Sequence, residues 1–276
     1  MDNRPIGIFD SGLGGLTVVR EMLRHLPGEE LLYFGDTGRV PYGTRSRETI
    51  EKYAAQDCRF LLGMEVKMII AACGTVSSVA PHVLESLPVP AIGVVEPAAA
   101  AAAAATRNGR VGVIGTAATI RAGAFRRRLQ EEKAGLQVFC EACPLFVPLV
   151  ENGWIGRDDQ VTRLTARRYL APLKEKGIDT LILGCTHFPL LAEVLREELG
   201  EGVVLIDAGR EAAEACGRRL RDMDALREAG QPGSSRFFVS DQPDDFTRVG
   251  GMFLGRKLEE DLHIVDLETM ENTRKG

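Results

Sequence analysis

Met68-Ile69-Ile70-Ala71-Ala72-Cys73-Gly74-Thr75 and Leu181-Ile182-Leu183-Gly184-Cys185-Thr186-His187 decide the reading of this chain. Each is a short apolar run that ends in a cysteine and small or hydroxyl residues. Each is followed by a proline and an apolar-periodic segment with glutamate, Pro81 to Leu87 and Pro189 to Leu199. A short aliphatic run ending this way before a helix is the strand-to-helix turn of an α/β sheet. Residues at such turns lie at the carboxyl ends of parallel strands, where open α/β sheets bind ligands. One pattern therefore occurs twice: strand, cysteine, hydroxyl, helix.

Further out, the duplication persists. Ile6-Gly7-Ile8-Phe9-Asp10-Ser11 resembles Val111-Gly112-Val113-Ile114-Gly115-Thr116, and Val40-Pro41-Tyr42 has a counterpart in the loop Val147-Pro148-Leu149. The offset between halves stays between 105 and 112 residues, in the same order. The expected fold is α/β: two pseudo-symmetric lobes, each a mainly parallel sheet flanked by helices, with the active site in the cleft between them. The two cysteines then face each other across that cleft. Pro97 followed by eight alanines, Ala98 to Ala105, predicts a helix, and the lobe junction is placed there. Residues 1–97 with 208–276 form the first lobe and 98–207 the second, because the C-terminal segment is too small for a core of its own. The polar end, Glu268 to Gly276, is expected to fray.

The chain has 276 residues, enough for two lobes that each bury a core. A net charge of −5 and a pI near 5.6 argue against a nucleic-acid surface. Arg126-Arg127-Arg128 reads as a solvated helix face. No run of about 18 apolar residues is present, so no membrane-spanning helix is expected. The N-terminus passes straight into a strand without an apolar leader, which predicts a cytoplasmic protein. Six cysteines in such a chain do not suggest a disulfide framework. Cys140-Glu141-Ala142-Cys143 lacks a second pair for zinc and reads as an inert pair at a strand end. Cys58 and Cys216 read as buried structural thiols.

Among the loops, Asp10-Ser11-Gly12-Leu13-Gly14-Gly15 is no dinucleotide fingerprint, since Thr17 stands where the last glycine belongs. Its glycines are read as letting backbone approach a ligand, with the N–H groups of the next helix facing an anion. Asp10 is either a cap for that helix or a support for catalysis. Gly35 to Gly43, polar and Gly-rich with one tyrosine, reads as a substrate loop. Glu151 is the carboxylate placed to face the cleft from the second half.

Three readings compete for the two cysteines. A redox pair leaves Thr75, Thr186 and His187 without purpose, since these suit a polar ligand. A metal site has only His187 near a cysteine. The third is acid–base chemistry on a carbon acid held between the thiols: one thiolate removes a proton, and the other thiol returns one to the opposite face. A thiol pKa of about 8.5 makes both forms accessible, and His187 or a helix N-terminus would tune it. Neither a metal nor an organic cofactor is expected.

Phe9 to Gly15, the Gly35 to Gly43 loop, Ala72-Cys73 with Thr75, and Gly184-Cys185-Thr186-His187-Phe188-Pro189-Leu190 resemble the glutamate racemase family, within the cofactor-independent aspartate/glutamate racemase superfamily. The resemblance covers essentially the whole chain. It implies interconversion of L- and D-glutamate without pyridoxal phosphate, D-glutamate for the bacterial cell wall, and a homodimer. It also implies that Cys73 takes the α-proton from D-glutamate and Cys185 from L-glutamate. Asp10 would support Cys73, and His187 would support Cys185, with Glu151 nearby. Ser11, Tyr42, Gly43, Thr75, Thr119 and Thr186 match positions that hold the substrate's amino and carboxylate groups, and Asp10, Pro41 and Gly74 fall in the same set. Alternatives are an aspartate or other two-thiol racemase, or a non-catalytic binding protein on this fold. The family pattern has Asn after the first cysteine, where this chain has Gly74. A missing substrate contact is the favoured reading of that change, over a backbone that requires glycine, and it predicts that Gly74→Asn improves activity.

Overall fold

The computed structural model describes residues 1–228, 230, 232–241, 243–258 and 262–267. The expected fraying of Glu268 to Gly276 lies outside these residues. Along the chain run β1 (Ile6–Asp10), β2 (Leu31–Gly35), β3 (Met68–Ala71), β4 (Ala91–Gly93), β5 (Arg110–Gly115), β6 (Gln137–Ala142), β7 (Thr180–Leu183), β8 (Val204–Asp207), β9 (Ser235–Val239) and β10 (Leu262–Ile264). Between them lie α1 (Leu16–His25), α2 (Arg47–Gly63), α3 (Gly74–Val79), α4 (Pro81–Glu85), α5 (Val95–Ala105), α6 (Ala117–Ala122), α7 (Ala124–Glu132), α8 (Phe146–Glu151), α9 (Gln160–Glu175), α10 (Ala192–Leu199), α11 (Ala208–Asp222) and α12 (Pro243–Leu254).

The strands form two sheets, ordered β10-β9-β2-β1-β3-β4 and β6-β5-β7-β8, with every pairing parallel. Strands such as Met68–Ala71 and Thr180–Leu183 are buried along their whole length, as helices on both faces require. The order β2-β1-β3-β4 in one sheet is the order β6-β5-β7-β8 in the other, so the sequence duplication is a duplication of topology. In both, the chain leaves its first strand to one side and returns on the other. That reversal opens a crevice at the carboxyl ends of β1 and β3, and of β5 and β7. Cys73 follows β3 and Cys185 follows β7.

Two local readings change. Val147-Pro148-Leu149 is no loop: it lies in α8, with Pro148 in the first turn, where a missing N–H costs nothing. Its counterpart Val40-Pro41-Tyr42 is irregular, with a cis Val40–Pro41 bond and short 3₁₀ turns on either side. In addition, a helix follows Cys73 at once, for α3 begins at Gly74.

The alanine run is helical, from Val95. It follows the last of the first four strands of the larger sheet and precedes the smaller sheet. Ala98, Ala99, Ala102 and Ala103 are buried. They join Ile8, Val18, Val113, Ile182, Ala212 and Cys216 in one apolar cluster that runs through both sheets. Methyl side chains let α5 pack closely on α7 and α11, and α11 packs in turn on α1. Cys58 and Cys216 are buried, as expected.

Candidate active site

Of the catalytic and substrate-binding candidates named from the sequence, all but Thr119 line one cavity of about 370 Å³. Its walls come from both sheets.

Asp10 is the last residue of β1 and is buried. Its Oδ2 accepts from the backbone N–H groups of Gly12 (3.3 Å) and Gly15 (3.0 Å). Burial raises its pKa, opposed by the His187 charge and by the loop N–H groups. The N–H groups of Gly12 and Gly15 thus go to Asp10, and those of Leu16 to Val19 to the turn's own carbonyls. Two of the glycines also have steric reasons. A Cβ on Gly14 would lie 2.1 Å from Thr186 Oγ1, and one on Gly15 would lie 2.6 Å from the Asp10 side chain. Thr17 Oγ1 donates to the Thr186 carbonyl at 3.1 Å, tying the first turn to the Cys185 loop.

The two thiols stand in different electrostatic surroundings. Cys73 Sγ donates to Ser11 Oγ at 3.6 Å. Burial, then the Asp10 carboxylate, pushes its pKa up to about 12, so Cys73 rests as a thiol. Cys185 Sγ lies 3.8 Å from His187 Nδ1, while His187 Nε2 lies 2.9 Å from Glu151 Oε1. Burial lowers the His187 pKa, but the bonds to Cys185 and Glu151 outweigh it and raise it to about 10. A protonated His187 ring presents one N–H toward the Cys185 sulfur and the other to the Glu151 carboxylate. Beside Cys73 stand Ser11 and Asp10 instead. The His187 ring also meets Phe253 of α12 edge-on at 5.1 Å. Phe253 contributes to this geometry from a distant part of the chain that the sequence did not single out.

Thr75 Oγ1 lies 3.0 Å from Thr116 Oγ1, which lies 3.0 Å from Thr119 Oγ1. Thr116, at the end of β5, is on the cavity wall, and Thr119 stands behind it. Thr116 went unselected, although its place matches that of Ser11 at the end of β1. The Tyr42 hydroxyl points away from the cavity, to Asp36 and to Asp57 Oδ2 (3.0 Å for the latter). Tyr42 thus braces the Pro41-Tyr42-Gly43 loop from behind rather than offering its hydroxyl to the cavity. A Cβ on Gly43 would lie 2.9 Å from Thr116 Cβ, so the loop meets the second half there. Cys143 also lines the cavity. Burial raises its pKa.

Gly74 overturns its favoured reading. A Cβ there would lie 2.1 Å from the Gly184 carbonyl oxygen, a backbone atom that no side-chain rotation can move. The backbone before Cys185 passes directly over the start of α3, and glycine is what permits it. Gly74→Asn therefore predicts a loss, not a gain.

Among the described residues, no group of three His, Cys, Asp or Glu side chains is placed to hold a metal ion, and no helix is long and apolar enough to cross a membrane.

The profile of the Asp/Glu/Hydantoin racemase family matches residues 6–216. Glutamate racemase of Geobacter metallireducens is 49% identical over 266 residues, 96% of this chain and 97% of that protein. The structure of glutamate racemase from Francisella tularensis subsp. tularensis in complex with D-glutamate superposes with a TM-score of 0.90 at 39% identity, covering 98% of this chain and 100% of that one. A Bacillus anthracis glutamate racemase isoform superposes with a TM-score of 0.92 at 36% identity, covering 97% and 99%.

Proposed function

The chain belongs to the Asp/Glu/Hydantoin racemase family, and from that premise we propose that it interconverts L- and D-glutamate by a two-base mechanism without cofactor. Relatives that bear the name glutamate racemase, at 44–49% identity over most of the chain, support the substrate. The observation that carries the mechanism is the placement of Cys73 and Cys185 after equivalent strands of the two sheets, lining one cavity, with His187 and Glu151 beside the second alone.

In the L-to-D direction, Cys185 thiolate takes the α-proton, and the electron pair left on Cα spreads into the adjacent carboxylate. Cys73 delivers its thiol proton to the opposite face. D-glutamate leaves with Cys73 as thiolate and Cys185 as thiol; a solvent proton gained at Cys73 and one lost from Cys185 reset the pair for the next L-glutamate, and the same steps run backward from D-glutamate. Thr75, Thr116 and Thr186 hydroxyls and nearby N–H groups hold the substrate's charged groups. Asp10 holds Cys73 protonated between turnovers. The lobes are residues 1–97 with 208–276, and 98–207. We assign the enzyme to a cytoplasmic homodimer that supplies D-glutamate for peptidoglycan.

Circular dichroism of each pure enantiomer in D₂O tests this. Optical activity should decay to zero from either side, with one deuteron gained at Cα of the inverted product. Cys73→Ala and Cys185→Ala should each abolish the decay and keep the fold. Full racemisation by either variant, or dependence on added pyridoxal phosphate or metal, would sink the reading.

A further inference from the structure

A second groove, of about 470 Å³, lies beside the substrate loop and is lined by Arg45, Arg47, Arg121 and Arg127 over a floor that includes Ile50 and Val79. Its lining contains no carboxylate, although the chain has 39 acidic residues against 34 basic ones. Arg47 pairs with Glu51 outside the groove at 3.2 Å, and Arg127 donates to the Ala122 carbonyl at 2.8 Å. Among the described residues, neither Arg45 nor Arg121 makes an ion pair. The contrast is with the groove beside α1, where Arg20, Arg24 and Arg210 are matched by Glu21, Asp207 and Glu211 in the same lining. Four guanidinium groups with a single carboxylate partner among them, Glu51 on Arg47, repel one another and leave a concave field for an anion.

We propose that this groove binds a small polyvalent phosphoryl anion. Guanidinium groups match phosphoryl oxygens two by two, and several around one groove select for multiple charge over a single carboxylate. Arg45 and Arg47 come from the segment after β2, and Arg121 and Arg127 from α6 and α7 after β5. One anion therefore spans both halves of the molecule. Its seat adjoins the place where Gly43 meets Thr116, and Arg45 N–H itself donates to the Tyr42 carbonyl at 3.0 Å. An occupant pins the substrate loop against α6.

Isothermal titration with pyrophosphate, at ionic strength held constant with chloride, tests this without turnover and so independently of the racemase reading. Saturable pyrophosphate binding is expected, with inorganic phosphate weaker. Arg45→Gln and Arg121→Gln should each weaken it roughly 10- to 150-fold, the range for one hydrogen bond to a charged group, with the circular dichroism spectrum unchanged. Heat no different from chloride, or binding that survives both variants, would overturn the proposal. So would variants that leave wild-type pyrophosphate binding intact yet lower kcat/KM for glutamate more at low salt. That pattern would make the arginines a lure for substrate.

Discussion

His187 joins Glu151 to Cys185, its two ring nitrogens lying 2.9 Å from the carboxylate and 3.8 Å from the sulfur. Cys73 has a hydroxyl and a buried carboxylate for neighbours instead. One thiol is held by a cation, the other beside an anion. In the proposed reaction, which runs equally well both ways, the two bases are therefore unequal.

The inequality can be measured, though not as a ratio of kcat/KM. Enantiomers have the same free energy, so kcat/KM must stay equal in the two directions for every variant. His187→Asn removes a hydrogen bond to a charged group, and kcat/KM should fall roughly 10- to 150-fold both ways. The proton transfer at Cys185 then becomes the slower of the two. The primary deuterium effect should rise with α-deuterated L-glutamate and fall with α-deuterated D-glutamate. Equal isotope effects in the variant would show that His187 does not act through Cys185.

Titration of His187 should appear in stability. Its pKa, raised from 6.5 to about 10 in the fold, means the native state holds this proton more tightly than the unfolded chain. The contribution is fully present below pH 6.5 and is lost as pH rises through about 10. Urea unfolding of the wild type should therefore weaken across that window, and the His187→Asn variant should show a smaller slope there. Identical slopes would place the imidazolium elsewhere.

Gly74→Ala and Gly74→Asn should both lose activity and melt earlier. Each puts a Cβ on the Gly184 carbonyl, and overpacking a rigid site costs about 1–3 kcal/mol. An Asn variant more active than wild type would restore the idea of a missing contact. Kinetics and a thermal melt on the same samples decide it.

Thr116→Val keeps shape and removes the middle hydroxyl of the Thr75–Thr116–Thr119 chain. It should raise KM several-fold, in line with about 0.5–1.5 kcal/mol per neutral hydrogen bond. Thr119→Val, one residue farther from the cavity, should do less. A larger effect at Thr119 would mean that the chain holds α6 rather than substrate.

Much of the site was legible because strand ends are local. Apolar residues followed by Cys73 or Cys185 need only their neighbours to be read, and sheet topology carries both to one crevice. What escaped depends on contacts across the chain. Gly74 meets Gly184, and Gly14 meets Thr186, so each glycine answers to a partner far away in sequence. The Tyr42 hydroxyl turns inward because Asp57 waits on α2, where a carboxylate in a helix gives no sign of its target. Pro148 marked a loop by composition, yet the first turn of α8 tolerates it. Thr116 was hidden by its commonness: a threonine after a strand is usually only a cap, and it does cap α6.

β2 lies between β1 and β9, paired at Leu31 with Ser235. During synthesis, the outer edge of Leu31-Leu32-Tyr33-Phe34 therefore waits unpaired until some two hundred further residues have left the ribosome. The smaller sheet needs only residues 110–207, and its strands can join while that edge still waits. A parallel edge of apolar residues is prone to pair with other chains. The nascent protein thus emerges with its first sheet incomplete while its second has all its strands.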